Sequence, residues 1–91
     1  MPNIHFQTAH QLTKADAKTK IESVAEQLKN RLGASYHWQG DTLMFDRAGA
    51  KGSIDVSDKD VTVDVDLGMM LTPFKGEIER QIQQQLQHSL H

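Results

Sequence analysis

The segment Asp58-Lys59-Asp60-Val61-Thr62-Val63-Asp64-Val65-Asp66 carries the densest run of side chains able to do chemistry. Carboxylates at alternate positions are what a calcium loop supplies, but such a loop also needs a glycine that turns the backbone around the ion. Val63 stands at that glycine position, and the valine alternation makes the segment an extended strand. A strand sets its carboxylates side by side along one face instead of around a point. Asp55, Asp64 and Asp66 are therefore expected on a solvated sheet face, where their repulsion discourages pairing with another chain. His5, His10, His37, His88 and His91 raise the question of zinc. They form no i,i+4 pair and no short ligand pair with a Cys or Glu, so exposed or partly packed histidines are expected and no metal site is assigned.

Nucleophilic chemistry has no better footing. Ser35, Ser53, Ser57 and Ser89 lack a Gly-x-Ser-x-Gly elbow. Asp46 and Glu77 make a carboxylate pair only if something brings them together. Gly49-Ala50-Lys51-Gly52-Ser53 lacks the glycine spacing of a phosphate loop and joins two strands instead of opening a helix. No catalytic residue, cofactor site or enzymatic activity is assigned. Trp38, with Tyr36 and Phe45, reads as a core cluster or as an aromatic ligand cage. As core, Trp38→Ala would cost about 3–5 kcal/mol. Gly68-Met69-Met70-Leu71 is different, because two methionines and a leucine at a strand-to-helix corner cannot all point inward. Flexible thioethers suit adaptable apolar contact. Met69, Met70, Leu71 and Phe74 either cap the core or present an apolar corner to a partner.

The elements that position these residues follow from periodicity. Asn3 to Thr8 alternates and reads as a first strand. A helix then opens with Thr13 as N-cap and Asp16 at the third position. Its apolar stripe is Ala17, Ile21, Val24, Ala25, Leu28 and Leu32, and Gly33 is its left-handed C-cap. Strands are expected at about 35–39, 42–47, 52–57 and 60–67. Gly40-Asp41 and Asp58-Lys59 are tight turns, and Ala48-Gly49-Ala50-Lys51 a looser one. The turns put Trp38 opposite Leu43, Tyr36 opposite Phe45, Val56 opposite Val61 and Ile54 opposite Val63. A second helix is capped by Thr72 with Pro73 at its first position, and carries Phe74, Ile78, Ile82, Leu86 and Leu90.

The result is a single α+β domain over residues 1–91 with the order β-α-β-β-β-β-α. Strand directions let the first strand pair with the fifth. That closes a five-stranded antiparallel sheet in the order 2-3-4-5-1 with both helices on one face. The layout resembles a shortened helix-grip fold. A chain of 91 residues makes a thin core, burying roughly 60% of its unfolded surface. The net charge of −2 argues against nucleic acid as a partner. The absence of cysteine fits a reducing cytoplasm. The opening Met-Pro-Asn-Ile-His-Phe lacks the order of a signal peptide, and no stretch is long enough for a membrane span.

The string from Tyr36 to Arg47, then Gly49 and Lys51-Gly52-Ser53-Ile54, resembles a known bacterial family. So does Asp64-Val65-Asp66-Leu67-Gly68-Met69-Met70-Leu71 followed by Phe74-Lys75-Gly76-Glu77-Ile78-Glu79. The chain is similar along nearly its whole length to the polyhydroxyalkanoic acid system proteins, the polyhydroxyalkanoate granule-region family. That resemblance implies a place beside storage-polyester synthesis and brings no catalytic residues with it. Gln81 to Gln87 is richer in glutamine than expected. The expected function is a non-enzymatic accessory protein of polyhydroxyalkanoate metabolism, binding a granule surface, a granule protein or polyhydroxyalkanoate synthase. The alternatives are a small acyl-ligand carrier with Trp38 lining the gap between sheet and helices, and a homodimer. So few core residues leave little spare volume for a ligand.

Overall fold

The alternation of apolar and polar residues is realised in a computed structural model that describes residues 4–69 and 71–90. Asn3, Met70, His91 and the side chain of Leu32, all named above, lie outside the described residues. The strands are β1 (Ile4–Ala9), β2 (Ser35–Gln39), β3 (Thr42–Arg47), β4 (Ala50–Val56) and β5 (Asp60–Leu67). They form one antiparallel sheet in the expected order β1-β5-β4-β3-β2, which the strand directions allow. Trp38, Leu43, Ile54, Val63 and Phe6 make one continuous cross-strand row, and its Trp38–Leu43 and Ile54–Val63 pairs are the ones the turn positions set.

One turn is tighter than expected. Arg47 pairs with Ala50, so Ala48 and Gly49 alone make the bend and β4 begins two residues early. Gly49 has φ 89°, a conformation glycine adopts without the clash a Cβ would bring. Its carbonyl accepts the Gly68 N–H at 2.6 Å, which pins the hairpin to the end of β5.

Helix α1 (Lys14–Leu32) starts at Thr13, whose hydroxyl accepts the Asp16 N–H at 3.1 Å, and ends at Gly33 with φ 72°. The second helix enters differently from expectation. Thr72–Phe74 form a 3₁₀ turn, and α2 follows as Lys75–Leu90. Thr72 does not cap it; its hydroxyl donates to the Gly68 carbonyl at 3.0 Å. Pro73, at the start of the 3₁₀ turn, has no N–H to leave unpaired.

Both helices cover the same face. Helix α1 lies across β2, β3 and β4, and α2 lies against α1 and β1. The core consists of aliphatic residues: Ile4, Leu43, Ile54, Val61, Val63 and Val65 from the sheet, Ile21 from α1 and Leu86 from α2. Tyr36, Trp38 and Phe45 pack only partly buried against it, so the aromatic trio forms the rim and not the centre. Neither helix covers the other face of the sheet, which is open among the described residues.

Candidate functional site

The strand-to-helix corner is built by backbone economy around Gly68. Its carbonyl accepts from Leu71 N at 3.0 Å, Thr72 N at 3.1 Å and the Thr72 hydroxyl. A Cβ at Gly68 would lie 3.2 Å from the Gly49 oxygen, tighter than most side chains tolerate, and glycine permits this crossing. The bend sorts the apolar residues. Leu71 turns inward over Gly49, while Met69 is 92% exposed and Phe74 53% exposed. These two are the exposed large hydrophobics among the described residues.

Leu71 also forms one wall of an apolar groove of about 230 Å³ between α2 and the outer ends of β3, β4 and β5. Phe45 from β3 and Ile78 and Ile82 from α2 line it, together with Gln81 and Gln85 of the same helix. Among the described residues, Arg47 is the one charged residue lining it. Its side chain leaves β3 two residues after Phe45 and hence on the same face. Arg47 makes no ion pair with a described residue. Trp38 does not line this groove; with Lys18, Thr19 and Glu22 of α1 it lines a separate, more open depression of about 250 Å³. Its Nε1–H donates to Glu22 at 3.1 Å, and Lys18 Nζ sits 4.8 Å from the ring centroid.

The uncovered sheet face carries a wider, shallow depression of about 550 Å³, where Tyr36, Met44 and Phe45 lie among Asp46, Lys51, Ser53, Asp64 and Asp66. Here His37, Met44, Ser53, Asp64 and His5 occupy one cross-strand row. The serine, aspartate and histidine are neighbours, but the carboxylate stands in the middle and His5 Nδ1 contacts Asp64 Oδ1. General-base activation of a serine needs the imidazole between the other two. Asp58–Asp66 runs from a tight turn into β5 as an extended strand. Among the described residues no three His, Asp or Glu side chains gather as a metal ligand set. Asp46 lines the open face, whereas Glu77 belongs to α2 on the covered one.

Two polar clusters hold this frame. Lys14 and Lys18 donate to Asp41 at 2.9 and 3.3 Å, tying the start of α1 to the β2–β3 turn. The paired ammonium groups hold the Asp41 carboxyl below the usual carboxylate range, and Asp41 raises Lys14 in return. The second cluster escapes sequence reading. His10 is buried, 6% exposed, with Nε2 donating to the Ser57 carbonyl at 2.8 Å and Nδ1 accepting from Leu12 N–H at 3.1 Å. These bonds assign the neutral Nε2–H tautomer. The alternation that ends at β1 gives no sign of this packing. Arg47 was equally inconspicuous, although its spacing from Phe45 does place it on the helix side.

The chain finds no match among curated proteins or among solved structures. A family model described as "putative polyhydroxyalkanoic acid system protein" matches residues 4–90, covering every element from β1 to the end of α2. The chain belongs to this polyhydroxyalkanoic acid system family.

Proposed function

We propose that this protein is a non-enzymatic accessory factor of polyhydroxyalkanoate metabolism that docks on the storage granule through the Met69–Phe74 corner. The observation that carries the reading is the joint exposure of Met69 and Phe74 on a backbone held by four hydrogen bonds around Gly68. A bend already held by hydrogen bonds has little backbone freedom left to lose on contact, so burial of its apolar side chains is offset mainly by their own rotamer entropy. A hydrophobic polyester surface offers such burial without demanding directional partners, and methionine adapts to an irregular one. Family membership supplies the metabolic setting. The uncovered sheet face sets Asp46, Asp64 and Asp66 around its depression, charges that an apolar polyester surface would desolvate. A cytoplasmic location follows from this reading.

Co-sedimentation tests it with two kinds of granule. The wild-type chain is expected to pellet with native granules and with granules stripped of protein. The Met69→Ser/Phe74→Ser double variant is expected to stay largely in the supernatant. Both side chains are exposed, so the variant keeps its fold, which circular dichroism checks. Pelleting with native granules alone would move the contact to a granule protein or the synthase. Equal pelleting of variant and wild type would overturn the corner as the docking element.

A further inference from the structure

We propose that the groove between α2 and the sheet is a binding site for a short- to medium-chain free carboxylic acid, with its carboxylate on Arg47. The groove and the docking corner use different side chains, and the inference does not depend on granule binding. Three observations converge on this ligand.

The first is the lining. Phe45, Leu71, Ile78 and Ile82 make an apolar trough with few polar groups, the composition of a small-molecule site. The second is charge. Arg47 is the one charged residue at the groove and has no ion-pair partner among the described residues, whereas Lys14 and Lys18 are both engaged by Asp41. An arginine fork binds a carboxylate through two parallel hydrogen bonds, so the lone cation selects an anionic head over a neutral one. The third is size. At about 230 Å³ the groove lies below the roughly 300–1,000 Å³ of sites for drug-sized ligands, which excludes a long acyl chain or a bulky head from full burial. An apolar chain with a carboxylate end satisfies all three together. Gln81, which also lines the groove, adds an amide able to hydrogen-bond a hydroxyl on that chain.

The test is a nuclear magnetic resonance titration of the isotope-labelled chain with sodium butyrate, hexanoate and octanoate, with octanol as the neutral-head control. Saturable shifts are expected at Ile78, Ile82, Leu71 and Arg47. Affinity should rise about fourfold per added methylene while the chain is being buried. It should then stop rising once the groove is full. Arg47→Gln should weaken the acids roughly tenfold and leave octanol unchanged. Because Arg47 is exposed, this variant is expected to fold. Absence of saturable shifts at these residues would overturn the proposal. So would equal binding of the acids to Arg47→Gln, or affinity that climbs without a plateau, the mark of non-specific adsorption. Met69→Ser/Phe74→Ser should retain acid binding, so this site and granule docking fail separately.

Discussion

Tyr36 is the chain's single tyrosine, and its environment makes a sharp prediction. Its phenol donates to Glu26 at 2.5 Å, and its pKa is pushed up to about 12. The hydrogen bond to Glu26 is the leading cause; burial and the charges of Glu26 and Glu22 add to it. Between the unfolded value near 10 and the folded value, the unfolded chain loses this proton while the native protein keeps it. Stability must therefore fall as pH rises through that window. Absorbance titration of phenolate should show ionisation near pH 12, and Glu26→Gln should bring it down toward 10. At the acidic end the sign reverses. Asp41 is held low by Lys14 and Lys18, so the stability it lends is lost as pH falls through its folded value. His10 makes the third residue-scale case. His10→Leu should cost about 1–3 kcal/mol in urea unfolding, because the Ser57 carbonyl and the Leu12 N–H both lose their partner.

Among elements, the three hairpins from β2 to β5 show where sequence reading succeeds and where it stops. Turn positions and alternation made the register of Trp38 with Leu43 and of Ile54 with Val63 legible, because a one-residue slip would expose a whole apolar face. The helix limits at Thr13 and Gly33 were legible for a similar reason, since caps are local chemistry. The tight Ala48-Gly49 turn was not, because its geometry depends on the Gly68 N–H arriving from β5. The role of Gly52 was equally hidden. The Phe45 ring lies across it, and a Cβ there would meet Phe45 Cζ at 2.4 Å and the Asp64 carbonyl at 2.9 Å. Gly52→Ala should therefore destabilise by about 1–3 kcal/mol, as overpacking does. Phe45→Leu in the same chain should recover part of that loss, a coupling that a double-mutant cycle measures. The corner at Met69 was readable as a conflict, too many apolar groups for one bend, but only the fold shows that Leu71 turns in and Met69 out. The groove at Arg47 was not readable, since it joins α2 to strand ends far away in sequence.

The whole molecule is one sheet with a thin aliphatic core on one side and a polar surface on the other. Leu43 is fully buried at its centre, and Leu43→Ala should cost about 2–5 kcal/mol. Trp38 is half-buried at the rim, so Trp38→Ala should cost less than Leu43→Ala. Thermal unfolding of the two variants gives the order. The apolar corner and groove sit together at one end of α2, and the acidic residues lie across the open face. That division makes the granule claim testable within a single spectrum of methionine methyl groups. Met69 reports the corner, and Met44, on the uncovered sheet face, reports the opposite surface. With polyhydroxyalkanoate granules present during peroxide treatment, the shift of the Met69 methyl to its sulfoxide position, read after release from the granules, should be suppressed while that of Met44 is unchanged. Protection of Met44 with Met69 oxidised as in the free protein would contradict the account and move the docking surface to the open sheet.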